Sequence, residues 1–434
     1  MERKYPRILI STVGPWSEFG SDMWSLLLSN YDKEQVASLY LRSIKSKSPS
    51  CSKYFQIHED LVLKSIFTPD IKTGNFYYYD RSIDNAVHDD TLSCLAERKR
   101  YSMNNTNGIW LKRIIREFVW LFGRWKTKEF KSFIDDFDPE ILVFPIESYI
   151  HLNRINKYII CKKKPIVIGF FNDDNFTYKQ SNNLGYLLHR FWLRFSVKWL
   201  VKRCDTIFAI CPKMKRECDK EFSIDSIILS KPMICNTREL KQREVDFPIR
   251  IMYAGKLYIN RDKTITEIAK AIAKINKEKN YFTLDVYSST KLSNEIVSHI
   301  ECSPEVRFRG EIPPSQVYSE ISKSDVLLFV EDLSNKNLAA RLSFSTKITD
   351  CLGSGRCTWA IGNDDLGPIE YFKQMDAGLV STSIDSIYET LIKIKDDPSI
   401  ITKYAKKGYI CGKQYHNIDN LIDIFENSLG KYRK

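Results

Sequence analysis

The sequence contains no CxxC pair, and its eleven cysteines lie scattered from Cys51 to Cys411. An odd count without paired spacing argues against a disulfide framework and against a structural zinc site. Cys204, Cys211 and Cys218 recur every seven residues, which is not a chelating interval, so they are expected to be small buried apolar residues. Cysteine used in this way fits a reducing cytosol. The six histidines are dispersed, and none stands at the spacing of a metal-ligand pair. No uncharged apolar run reaches the roughly 18 residues that a membrane span needs, which excludes an integral membrane protein. Met1-Glu2-Arg3-Lys4-Tyr5-Pro6 leads into a short apolar stretch without a cleavage-like site, so no signal peptide is expected. Internal repeats and low-complexity tracts are missing as well.

What is present is a chain of 434 residues, longer than one hydrophobic core usually grows, so two domains are expected. The apolar share of 43% is ordinary for a globular protein and the charged share of 28% slightly high. The net charge of +12 points to a polyanion, an acidic membrane surface or a phosphate-bearing ligand as partner.

Short β-type runs alternate with helical stretches. Arg7–Thr12, Ile141–Ile146, Pro165–Phe171, Thr206–Ile210 and Ser226–Leu229 read as strands of a first half. Ile249–Ala254, Phe282–Ser288, Val306–Phe308, Asp325–Val330 and Arg356–Ile361 read as strands of a second. Most are continuous apolar runs, as strands covered on both faces should be. Thr264-Ile265-Thr266-Glu267 has the form of a capping box, and Ile265, Ile268, Ala269, Ile272 and Ile275 then mark one helical face. This alternation predicts an α/β protein with two doubly wound, Rossmann-like parallel-sheet domains. Domains at 1–235 and 249–415 are expected, joined by a polar, proline-ended linker at 236–248, with a helix at 416–434 that returns to the first domain. The segment from about Ser43 to Asn107 is rich in Ser, Asp, Asn and Tyr, and its weak periodicity places no element.

Four features of residues 249–380 suit a diphosphate. Ala254-Gly255-Lys256 ends a strand on a glycine, with cations at Lys256, Arg261 and Lys263; glycine admits close backbone approach and the cations can neutralise phosphate. Ser345-Thr346-Lys347 opens a short helix whose free amides and dipole attract an anion, and Asp350 follows one turn later, placed to accept from ribose hydroxyls. Gly310-Glu311-Ile312 turns out of a strand and can face a base edge. Glu331-Asp332 follows the apolar run Leu327–Val330, at a strand's carboxyl end where this architecture binds ligands. Each feature alone also fits an ordinary turn, a capped helix or solvated charges.

Taken in order, AGKL, Arg261, Lys263, the Gly310-Glu311-Ile312 turn, SDVLLFV, STKITDCLGSG, Ile369-Glu370-Tyr371-Phe372 and Asp376–Val380 resemble the C-terminal domain of group 1, family 4-type glycosyltransferases over about residues 249–420. The resemblance implies the GT-B fold, two Rossmann-like domains facing a central cleft, and sugar transfer from a nucleotide diphosphate with retention and without a bound metal or other cofactor. It implies that Lys256, Arg261 and Lys263 hold the diphosphate, that Ser345, Thr346 and Lys347 cradle phosphate, that Asp350 binds ribose, and that Glu311-Ile312 face the base. Two departures stand out. Asp350 is shorter than the family's glutamate, and the family's second acid falls among Arg341, Leu342 and Ser343, where none exists.

In the first half, Ser11-Thr12-Val13-Gly14-Pro15-Trp16 stands where GT-B enzymes place a glycine-containing loop near the reacting sugar. Asn172-Asp173 stands near the family's His-Asp pair, and Asp173 can orient or deprotonate an acceptor hydroxyl. Trp110–Lys131 and Tyr186–Arg203 interleave Lys and Arg with aromatic residues. Such helices either lie in an anionic lipid interface or face a core with a solvated basic side. The first alternative implies a cytoplasmic enzyme peripheral to the membrane, acting on a saccharide or lipid-linked saccharide acceptor. Competing expectations are a sugar-nucleotide epimerase on the same fold and a basic nucleic-acid-binding protein, though no nucleic-acid motif is seen.

Overall fold

The computed structural model describes residues 5–15, 23–42, 45–46, 48, 50–79, 109–233, 245–334 and 340–430. The expected linker at 236–248 therefore lies mostly outside the described residues, as does Trp16. The chain forms two compact units, one from Met1–Ile210, Met214–Leu229 and Ile422–Lys434, the other from Cys211–Lys213 and Ser230–Leu421.

The first unit holds a sheet in the order β4-β3-β2-β1-β5-β6-β7-β8. Its strands are β1 (Ile8–Ser11), β2 (Val36–Tyr40), β3 (Lys53–Ile57), β4 (Gly74–Tyr78), β5 (Ile141–Pro145), β6 (Ile166–Phe171), β7 (Thr206–Ala209) and β8 (Ile227–Ile228). All pairs are parallel except β3 with β4. β1, β2 and β5 are buried along their whole length, which is why they carry continuous apolar runs. The edge strand β4 is mostly exposed and mixes Asn with aromatic residues. β3 and β4 come from the stretch whose composition placed no element. From the other end of the chain, Phe425 packs against Trp24 and Phe208 in this unit.

The second unit holds a wholly parallel sheet in the order β11-β10-β9-β12-β13-β14. Its strands are β9 (Ile249–Ala254), β10 (Phe282–Tyr287), β11 (Val306–Gly310), β12 (Val326–Val330), β13 (Cys357–Ile361) and β14 (Leu379–Ser381). Ile265, Ile268, Ala269, Ile272 and Ile275 of the helix Arg261–Ile275 are buried in one core with β9, β10, β12 and β13. Removing one such isoleucine to alanine costs about 2–5 kcal/mol. The helix begins three residues before the expected capping box, so Thr264 is no cap. The chain is already helical there, and the Thr264 hydroxyl donates to the Glu331 carbonyl at 3.0 Å.

Both sheets are α/β doubly wound, and each has a place where its strand order reverses: between β1 and β5 in the first, between β9 and β12 in the second. Open sheets of this kind bind ligands just beyond the carboxyl ends of the strands at that reversal. None of the nine described cysteines forms a disulfide; Cys211 and Cys218 are buried as expected and Cys204 is half-buried.

Candidate functional site

In the second unit the reversal places Gly255 after β9 and Glu331 after β12. The backbone from β9 passes through Ile259 and Asn260, both with left-handed φ (61° and 59°), before the helix starts at Arg261. Consecutive non-glycine residues in this region store backbone strain, a feature concentrated at ligand-binding turns. The helix Thr346–Gly353 starts opposite. Its Lys347 side chain crosses over Gly255 so closely that a Cβ on residue 255 would lie 1.4 Å from the Lys347 Nζ. Any side chain at residue 255 would therefore displace the Lys347 ammonium from this position.

Lys347 Nζ donates to the Tyr253 hydroxyl at 3.5 Å and lies 4.8 Å from that ring's centre. Burial, and next the neighbouring Arg261 cation, lower its pKa to about 8. Arg261 is held differently. Its guanidinium forms a two-pronged pair with the buried Glu331, Nη2 to Oε1 at 2.7 Å and Nε to Oε2 at 3.0 Å. Burial opposes its charge, but Glu331 outweighs that and raises its pKa. Asp332, also buried, accepts from Asn260 Nδ2 at 2.9 Å. The Glu331-Asp332 pair therefore does not lie solvated in a loop. It fixes the turn and neutralises Arg261, leaving Lys347 as the cation whose hydrogen bond among the described residues goes to a neutral phenol.

Of the residues singled out from sequence, Gly255, Arg261 and Lys347 come together here. Lys256 and Lys263 are exposed, and Lys256 Nζ lies 5.9 Å from the Tyr258 ring. Ser345 caps its own helix by accepting from the Lys347 amide at 3.3 Å, while Thr346 is exposed in the first turn. Asp350, one turn on and 54% exposed, pairs with Lys231 at 3.6 Å. Glu311 and Ile312 follow β11, two strands from β9. Tyr253 and Lys231 were not legible in the sequence, because each acquires its role by meeting a residue about a hundred positions away.

In the first unit Gly14 follows β1, with open space where a Cβ would stand. Asp173 is exposed after β6. The loop that carries it is tied down from several sides. Buried Asp174 accepts from the Thr177 amide at 2.9 Å and from its hydroxyl. Asn175 donates to the Ile146 carbonyl at 2.8 Å. From the helix Leu184–Val201, Arg190 donates to Gln180 at 2.9 Å, and Arg194 donates to the Phe176 carbonyl and to Glu221. This helix buries Arg190 beside Leu193, Val197 and Leu200, while Leu184, Leu188, Phe191, Trp192 and Phe195 are exposed. The neighbouring helix Ile109–Phe122 exposes Ile115, Phe118, Leu121 and Phe122. The expected basic stretch Trp110–Lys131 is broken at Gly123, and its Trp120 and Trp125 are buried. No helix among the described residues is long and apolar enough to cross a membrane.

No family model matches the chain, and no curated protein matches it in sequence. Solved structures do match its fold. Sucrose-phosphate synthase from Thermosynechococcus elongatus is 12% identical with a TM-score of 0.59, over 98% of this chain and 99% of that one. Anabaena HepE, solved with UDP and glucose, is 8% identical at a TM-score of 0.59, covering 98% and 100%. TarM is 9% identical at 0.59, covering 99% of each chain. The two parallel-sheet domains are thus those of the GT-B fold.

Proposed function

We propose that this protein is a glycosyltransferase that moves a sugar from a nucleotide-diphosphate sugar to a hydroxyl acceptor. The observation that carries this reading is the Lys347 ammonium held over Gly255 at the reversal point of the second sheet. A partly buried cation with depressed pKa is a group that an anion stabilises. A diphosphate beside the strained Gly255–Asn260 turn supplies that anion. As the bond between anomeric carbon and diphosphate breaks, charge develops on the leaving phosphate, and preplaced cations stabilise it without reorganising. Lys347 does this directly, and Arg261 does so to the extent that Glu331 shares it. Retention at the anomeric carbon, and charge neutralisation by these side chains in place of a metal ion, follow from the resemblance in motif order. The fold neighbour HepE, solved with UDP and glucose, supports a nucleotide-sugar ligand.

The acceptor side is assigned to Gly14 and Asp173 of the first unit. Nine large apolar side chains exposed on two packed helices, alongside Arg and Lys, favour peripheral attachment to an anionic membrane and a lipid-linked saccharide acceptor in polysaccharide or glycolipid assembly. A thermal-shift series with UDP, GDP, ADP, dTDP and CMP tests the donor side. One diphosphate should raise the melting temperature by mass action, and Lys347→Ala should abolish most of that rise. Equal rises in both proteins remove Lys347 from the site and the reading with it.

A further inference from the structure

The register of the first sheet continues past the strand ends. Ser11 pairs with Leu39, Ile10 with Val143 and Pro145 with Phe170. Backbone bonds extend these ladders, from the Leu41 amide to the Val13 carbonyl at 3.1 Å and from the Ile146 amide to the Phe170 carbonyl at 2.8 Å. Just past the strand ends, the same register carried on would align Arg42, Gly14, Glu147 and Asn172 across β2, β1, β5 and β6, with Asp173 next along the chain. The row lies at the carboxyl edge on both sides of the strand-order reversal. A Cβ at Gly14 would meet nothing within 4 Å, and Arg42 and Asp173 both lie near enough to Glu147 to act on its charge.

Glu147 is partly buried at the start of the segment joining β5 to the helix Ile150–Lys163. Burial, and next the Asp173 carboxylate, push its pKa up to about 7, while Arg42 works in the opposite direction. A carboxyl that titrates near neutrality can both donate to and accept from a hydroxyl, and neighbouring carboxyls hold a proton between them. A sugar hydroxyl needs such a two-way partner. A carboxylate kept only for structure would be better served by full pairing with a cation.

We propose that Glu147 is a second carboxyl of the acceptor site, which with Arg42 and Asp173 binds the attacking hydroxyl of the acceptor in the gap at Gly14. The assignment rests on the glycosyltransferase reading. Difference infrared spectroscopy of wild type, Glu147→Gln and Asp173→Asn tests the pair without turnover. One carboxyl should titrate near pH 7 in wild type, vanish in Glu147→Gln and move to lower pH in Asp173→Asn. Turnover is then followed with the diphosphate sugar whose nucleotide gives a thermal shift and with octyl glycosides as acceptors. Glu147→Gln should raise the KM for octyl glycoside about tenfold or more with the donor KM unchanged, and should remove the pH limb near neutrality. Gly14→Val, which fills the gap without touching a carboxyl, should raise the same KM. An unchanged acceptor KM and pH limb in Glu147→Gln, or no carboxyl titrating within about a unit of pH 7, overturns the proposal. If wild type binds no nucleoside diphosphate, the glycosyltransferase reading falls and the acceptor assignment with it. Retained diphosphate binding in a Glu147→Gln protein of unaltered acceptor KM removes only the acceptor assignment.

Discussion

The two units place their cations in contrasting ways. In the second, Lys347 crosses over Gly255 with Arg261 near enough to act on it, and the two differ in how their charge is compensated: Arg261 is locked to buried Glu331, whereas Lys347 faces a phenol and loses basicity. In the first, Arg190 and Arg194 turn inward to hold the Asp173 loop while the aromatic residues of the same helix face outward. In one unit a cation is left beside a neutral phenol, and in the other the guanidinium groups hold a loop while apolar side chains face outward. The lesson is that a net charge of +12 locates no site by itself. What each cation touches decides whether it is available.

The sharpest way to break this comparison is Gly255→Val. With Lys347 Nζ 1.4 Å from the position of a Cβ, the lysine must leave, and nucleoside-diphosphate binding measured by calorimetry should fall by about two orders of magnitude, given the usual worth of charged contacts. Next in size, replacing Phe191, Trp192 and Phe195 together by serine should release the protein from vesicles of acidic lipid in a sedimentation assay, while leaving the nucleotide-induced thermal shift intact. Loss of both would mean that the two units do not divide these tasks.

A pH series sharpens the account of Lys347. Because its pKa is lowered to about 8, it is charged below that pH and loses its charge above it. Diphosphate affinity should therefore weaken several-fold as pH rises through this value, and Lys347→Arg, which stays charged, should flatten the profile. The smallest expected effect concerns Glu147. Its folded pKa lies above the unfolded value of 4.5, at about 7. The folded protein therefore loses stability as pH rises across that window and keeps the deficit above it. Glu147→Gln should melt a few degrees above wild type in alkaline buffer and together with it at pH near 4.5, by differential scanning calorimetry.

Strands whose residues are apolar without interruption, such as Val326–Val330 and Ile141–Pro145, are legible from sequence because burial on both faces leaves no alternation to misread. The same holds for the buried face of the helix Arg261–Ile275, and from these the two-domain α/β class follows. β3 and β4 were not legible: one carries Lys and Gln among aromatic residues, and the other is an exposed antiparallel edge. Gly255, Arg261 and Lys347 were named as separate features, yet only the fold brings a lysine across a glycine from a distant helix. The outward face of Leu184–Val201 was hard to read, since its buried face mixes Arg190 and His189 with Leu193, Val197 and Leu200 while the rings lie elsewhere. Its orientation follows from tertiary partners: Leu193, Val197 and Leu200 are buried, and the Phe176 carbonyl and Gln180 amide accept hydrogen bonds from the two guanidinium groups. Local sequence thus determined where the chain becomes strand or helix, because that depends on burial along one element. Which charges are neutralised and which remain available was decided by partners that meet only in the tertiary structure.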